Sequence, residues 1–573
     1  MHHLVASCIS LLIFLLTPSK AKHNSTYNNP ILPGWHSDPS CTRVEDVFFC
    51  VTSTFDVFPG LPIYASKDLL DWKLVSHAWN RESQLPGYSA GTEGQQLGHY
   101  AATIRHHDGI FYVICVYLGA PAETGVLYTT KNPYDDSAWS DPVTFNASSI
   151  DPDLFWDDDG KVYTVLSGIT LQEIDVKTGD LSDPINIWNG TGGVYPEGPH
   201  LYKKDGFYYL LIAEGGTELK HSISIARSTN LKGPYESYKH NPILTNRNTD
   251  EYFQTVGHGD LFQDTNGNWW GTALATRGGP SWKVYPMGRE TVLFPVTWEK
   301  GQWPILEPVK GHMTGWTLPP RTRELPGEGP FNDDPDVYDF KSGSDIPRNL
   351  VYFRVPREDS FAVTRKGLRI IPSRGNLTGI PGNDDLSGQK GLGFIGRRQT
   401  DTYFTYSVVI NFEPKRIGQE AGVTVFLTQE NHIDLGVVLL NSSHKDESPR
   451  LYFRLRTEAT IVDNLPAVPA PRQPVKIIPI PHSWVGEKIR LQIKTINETH
   501  YGFSAMPSTR PQAAIDIGSA SAQLVSGGSG TFVGSLVGAY ATCNGVGSGS
   551  DCTQGGEVYI DRWRYSGHGQ VIE

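Results

Sequence analysis

Between residues 35 and 305, apolar and polar positions return five times in one order: a polar or acidic head, an apolar run, a tight turn and an aromatic run. The copies read HSDPSCTRVEDVFFCVTS, GHYAATIRHHDGIFYVICV, IDPDLFWDDDGKVYTVLS, PEGPHLYKKDGFYYLLIA and GHGDLFQDTNGNWWGTAL. Four carry Asp-Gly or Asn-Gly at the turn, a pair that accepts the positive φ of a tight hairpin; the first has Glu45-Asp46 instead. A second pair of strands follows, as in PIYASKDLLDWKLV and SISIARSTNLKGPYES. Four short strands repeated five times, 46 to 63 residues apart, predict a five-bladed β-propeller over 22–317. The first strand of each blade would line the axis, so Asp38, Asp151, Glu197 and His258 should meet there.

The pattern then changes. Residues 318–336, LPPRTRELPGEGPFNDDPD, are rich in proline and charge and read as a linker. Beyond them strands alternate with period two and no repeat; Ile489, Leu491 and Ile493 mark one buried face. Residues 337–573 therefore predict a β-sandwich of the jelly-roll kind, and the chain as a whole is all-β.

Composition supports this. The 573 residues include 14 Trp, 26 Tyr, 23 Phe, 59 Gly and 40 Pro, with only 19% charged. Aromatic residues suit pleated surfaces, and Gly and Pro supply turns. A net charge of −12 without a basic block excludes nucleic acid as a partner.

The apolar stretch Leu4 to Leu16 is too short to span a bilayer, and Ser19 and Ala21 fit a cleavage site. Residues 1–21 read as a signal peptide; no later stretch would anchor the chain in a membrane, so a secreted, extracellular protein is expected. Secretion makes two close cysteine pairs, Cys41 with Cys50 and Cys543 with Cys552, readable as disulfides, against the alternative of reduced core thiols. Cys115 is left over inside a strand. Six Asn-x-Ser/Thr sites (Asn24, Asn146, Asn189, Asn376, Asn441, Asn497) agree with a glycoprotein. Oligomeric state is not legible.

Three acids at equivalent repeat positions carry the candidate chemistry. Asp38 heads the first copy, Asp151 the third and Glu197 the fourth, each before Pro or Gly-Pro. One such aspartate would usually just close a turn; three, beside His258 and Arg289, suit glycoside hydrolysis. One carboxyl protonates the leaving oxygen while another deprotonates a water. Acids on separate blades favour a spacing of about 6.5–9.5 Å, room for that water, and hence inversion. A third carboxylate would keep the acid protonated. Asp153 and Asp157–Asp159 read as structural.

The runs NNPILPGWHSDPSC, TSTFDVFPGLPIYASKDLLDW, SIDPDLFWDDDGKVY, EGPHLYKKDGFYYLLIAEGGT, GHGDLF and MGRETVLFP resemble glycoside hydrolase family 43, in particular its β-xylosidases and α-L-arabinofuranosidases with a C-terminal concanavalin A-like sandwich. The resemblance implies Asp38 as general base, Glu197 as general acid and Asp151 as the residue that tunes and orients the acid. It implies that Arg289, Phe55 and Thr217 bind the terminal sugar, and that His258 holds a structural calcium through waters; the alternative for His258 is a hydrogen-bonded axial histidine without metal. No cofactor is required for the chemistry. Tyr100 stands where relatives usually carry tryptophan, and Ser37 where proline is common. The implied substrate is plant cell-wall polysaccharide or oligosaccharide, attacked at its ends because the sandwich walls the cleft. The alternatives are an endo-acting arabinanase or galactanase and a non-catalytic carbohydrate-binding protein.

Overall fold

Each of the five repeats folds into its own antiparallel sheet, and the five sheets form a five-bladed β-propeller. The computed structural model describes residues 24–573 apart from 93–94, 120, 380–390, 443–447, 460–471, 528–530, 549–550 and 553–554, so residues 1–21, expected to be a signal peptide, lie outside the described residues. The first blade runs Ser40–Val44, Val47–Val51, Gly60–Ser66 and Lys73–Trp79. The third begins at Asp153–Trp156, the fourth at Glu197–Lys204 and the fifth at Phe253–Gln263. In the second, Gly98–His99 and Thr103–His107 both pair with Ile110–Leu118.

The turn chemistry follows the sequence. Asp108-Gly109 and Asp205-Gly206 hold positive φ at both residues (49° and 75°, 53° and 83°), the geometry that matches strand twist in a two-residue hairpin. In the first blade, which lacks the glycine, Glu45 takes φ 55° itself. Apolar side chains fill the spaces between blades: Phe49 meets Phe111 edge-on at 4.9 Å, and Phe48 meets Phe262 at 5.8 Å. The ring is tied at its ends by Ser25–Asn28, which pairs with His312–Gly315.

Two eight-stranded sheets form the sandwich. Ile489, Leu491 and Ile493 point inward as expected, while Lys494 is exposed. One edge strand of the sandwich belongs to the propeller: Val57–Phe58 pairs with Val351–Phe353. Trp35, Phe55 and Val57 join the sandwich core, and Arg398 Nε donates to Trp35 O at 2.8 Å. The connecting segment 318–336 is strapped along the first blade, where Arg321 grips Asp71 with two bonds (2.6 and 2.7 Å) and Lys73 Nζ donates to Leu325 O at 3.1 Å. The site therefore sits beside a seam shared by both domains.

Cys41 and Cys50 face each other across the first hairpin and are joined, with Cα atoms 4.2 Å apart; Cys543 and Cys552 are joined at 5.8 Å. Cys115 is free and buried. Five of the six candidate glycosylation asparagines are exposed. Asn376 is not: it is 6% exposed and its Oδ1 accepts from Thr378 and Gly379 N–H groups, so this turn uses the side chain for folding and leaves no room for a glycan. Among the described residues no helix is long and apolar enough to cross a membrane.

Candidate active site

Asp38, Asp151 and His258 stand at the axis on the first, third and fifth blades, and all three have left-handed backbone, with φ of 51°, 57° and 47°. That conformation costs a non-glycine residue about 1–2 kcal/mol and persists where neighbours over-determine it. Here Ser53 N donates to Ser37 O (3.1 Å) and Ser167 N to Ile150 O (2.9 Å), pinning the peptide ahead of each acid.

All eight residues expected at the site line one pocket of ≈ 330 Å³: Asp38, Phe55, Tyr100, Asp151, Glu197, Thr217, His258 and Arg289. Arg289 Nη1 donates to Asp38 Oδ1 and to Thr217 Oγ1, each at 3.0 Å. Ser53 Oγ donates to Asp38 Oδ2, and His258 Nδ1 lies 3.5 Å from Asp38 Oδ1. Asp151 accepts from Ser167 Oγ at 2.8 Å and from Gly198 N at 3.1 Å. Phe55 packs edge-on against Tyr100 at 4.9 Å and stacks on Phe532 at 5.9 Å.

These contacts drive the carboxyls apart electrostatically. Burial alone would raise Asp38, but Arg289, His258 and the Ser53 hydroxyl outweigh it and hold Asp38 below its ordinary value. Burial raises Asp151; His258 opposes this and the Asp38 charge adds to it. Glu197 is pushed up to about 8, by burial first and then by the Asp151 and Asp38 charges. At neutral pH the pocket thus pairs an ionised Asp38 with bonded oxygens and a protonated Glu197, the pairing that acid–base hydrolysis needs.

A second polar layer lies deeper on the axis, again with a side chain from every blade. Arg105 reaches Asp153 at 2.8 Å and Asp260 at 2.7 Å. Its Nη2 also meets His200 Nδ1 at 3.0 Å. Ser40 and Tyr202 hydroxyls donate to Asp260, each at 2.7 Å. Ser40, Asp153 and Asp260 each follow a pocket residue by two positions, and Ser40 and Asp153 open the strands that Asp38 and Asp151 precede. The lower layer thereby locks the strands that carry the upper one.

The surroundings of His258 are poor in calcium ligands. Calcium takes six to eight oxygens, and among the described residues no three His, Cys, Asp or Glu side chains converge as a metal site. His258 instead packs against Gly198, where a Cβ would stand 2.9–3.0 Å from its ring, and faces Asp38, whose oxygens are already engaged. No step below runs through a metal.

Sequence reasoning missed several lining or supporting residues. Ser53 and Ser167 had a signal: both close the aromatic run of a repeat, in FFCVTS and VYTVLS, 15 and 16 residues after the acid they serve. Phe532 had none, because it comes from the sandwich; its carbonyl accepts from Arg289 Nε at 3.1 Å and its N–H donates to Gln96 Oε1 at 2.6 Å. Tyr195 and Glu218 complete the rim.

Comparison with known proteins places these observations. Residues 27–304 match the pattern of glycosyl hydrolases family 43, and residues 337–565 match the beta xylosidase C-terminal concanavalin A-like domain. A non-reducing end alpha-L-arabinofuranosidase of Bacteroides ovatus is 36% identical over 94% of this chain and 96% of its own. A beta-xylosidase of Bacillus subtilis is 30% identical over 89% and 95%. Among solved structures, a xylan beta-1,4-xylosidase of Bacillus halodurans superposes with a TM-score of 0.77 at 28% identity, covering 94% of this chain and 99% of its own.

Proposed function

The chain belongs to glycosyl hydrolases family 43 and is a glycosidase, and from that premise we propose a secreted, inverting exo-enzyme that releases terminal β-D-xylose, α-L-arabinofuranose or both from xylan, arabinoxylan or their oligosaccharides. The observation that carries this reading is one pocket lined by both Asp38, whose two oxygens accept from Arg289 and Ser53, and Glu197, which burial and the neighbouring acids push toward its protonated form.

The terminal sugar enters against Phe55, Tyr100 and Phe532, with Arg289 and Thr217 available to its hydroxyls. Asp38, as general base, takes a proton from a water whose oxygen attacks the anomeric carbon. Glu197, as general acid, gives its proton to the glycosidic oxygen as that bond breaks. Asp38 ends protonated and Glu197 ionised, and exchange with solvent restores both. Asp151 keeps Glu197 protonated through its charge and holds its strand through the Gly198 N–H. No cofactor enters. Phe532, brought in from the sandwich, walls the pocket, which suits chain ends and side groups better than the middle of a polymer.

The relatives' names support both sugars: arabinofuranosidase for one, xylosidase for another. Hydrolysis of nitrophenyl β-D-xyloside and nitrophenyl α-L-arabinofuranoside tests the proposal. Turnover of at least one, lost in Asp38→Asn, is expected; a wild-type protein inert on both overturns it.

A further inference from the structure

We propose that Tyr195 is the residue on which the leaving-group sugar stacks, with Glu218 beside it on the outer lip of the pocket; this rests on the exo-glycosidase reading above. Tyr195 lines the pocket yet is 66% exposed, an unusual state for a large aromatic side chain. The flanking Val194 is 59% exposed, so the lip presents an apolar surface to solvent.

The lip is built to hold that ring in place. The carbonyls on both sides of Tyr195 are tied down: Val194 O accepts from Gly215 N at 2.8 Å and Pro196 O from Gly168 N at 2.9 Å. Glu214, itself buried, accepts from Thr191 N and Thr191 Oγ1, each at 2.7 Å, and so clamps the start of the same segment. Between these anchors Tyr195 takes φ 54°, a conformation that costs a non-glycine residue and that the anchors on both sides hold in place. The ring lies beside bare backbone at Gly216, where a Cβ would stand 3.7 Å from its Cδ2.

Position assigns the occupant. The glycon space is enclosed by Phe55, Tyr100, Arg289 and Phe532, which come from the first, second and fifth blades and the sandwich. Glu197 belongs to the fourth blade, and the proton it gives goes to the oxygen joining glycon to leaving group. The leaving ring must therefore lie just beyond Glu197, and Tyr195 is two residues before it on the same blade. An aromatic face packs against the C–H face of a pyranose or furanose, while its hydroxyl and the Glu218 carboxylate meet ring hydroxyls. The Glu218 charge also disfavours an acidic sugar here, so the lip takes a neutral pentose or hexose unit.

The test compares Tyr195→Ala with wild type on β-1,4-xylobiose and β-D-xylosyl fluoride, and on α-1,5-arabinobiose and α-L-arabinofuranosyl fluoride. Fluoride needs no platform, so the ratio of kcat/KM for disaccharide over fluoride of the pentose that the enzyme hydrolyses should fall about tenfold, and Tyr195→Phe should retain most of the wild-type ratio. An unchanged ratio, whether both rates hold or fall together, overturns the platform while leaving the hydrolase reading intact. A wild-type protein that cleaves none of the four overturns the hydrolase reading itself.

Discussion

The N–H of Gly198 donates to the Asp151 carboxylate at 3.1 Å, so the residue next to Glu197 is bonded to the charge that perturbs Glu197. Asp151 thus adds to the effect of burial on the acid and also holds the backbone beside it. Replacing Asp151 by Asn keeps an oxygen to accept this bond but removes the charge, which should lower the alkaline limb of the kcat/KM profile from about 8 toward the ordinary carboxylate range. Profiles of both proteins on one nitrophenyl pentoside check this.

Gly198 itself admits no side chain. Its φ is 54°, and a Cβ would meet the His258 ring at 2.9–3.0 Å with little freedom to yield. Gly198→Ala should displace His258 from Asp38 and reduce kcat by at least tenfold while circular dichroism stays unchanged.

Glu197→Gln should separate activity from stability. The folded acid ionises near 8 rather than at its ordinary 4.5. Its contribution to stability is complete below 4.5 and is lost as pH rises through 8. Glutamine does not ionise, so Glu197→Gln should melt higher than wild type by a gap that opens between pH 4.5 and 8, reaching a few degrees. Thermal unfolding at pH 4, 6 and 8 reads it. Its kcat on a substrate with an unactivated leaving group should fall about 10²–10⁴-fold.

The lower axial layer makes a structural prediction. Arg105→Met would leave Asp153 and Asp260 buried without their cation, a loss of about 3–5 kcal/mol. Chemical denaturation should show this, with Arg105→Lys intermediate.

Much of the architecture could be read from the chain because the propeller repeats. The recurrence that marked the hairpins also placed Asp38, Asp151, Glu197 and His258 at equivalent heads, and blade symmetry turns equivalent positions into neighbours. What does not repeat was invisible. Val57–Phe58 reads as part of a propeller loop but completes a sandwich sheet, and Phe532 reaches the pocket from over 200 residues downstream of the propeller. Asn376 shows the limit of a short motif: its sequon is intact, but the side chain is spent on a turn.

The stereochemistry of the first product tests the two-carboxyl account most directly. Proton NMR during early hydrolysis of the β-xyloside should show α-xylose, or β-arabinose from the α-arabinofuranoside, before mutarotation, as direct attack by water activated at Asp38 requires. First appearance of the anomer matching the substrate would contradict it.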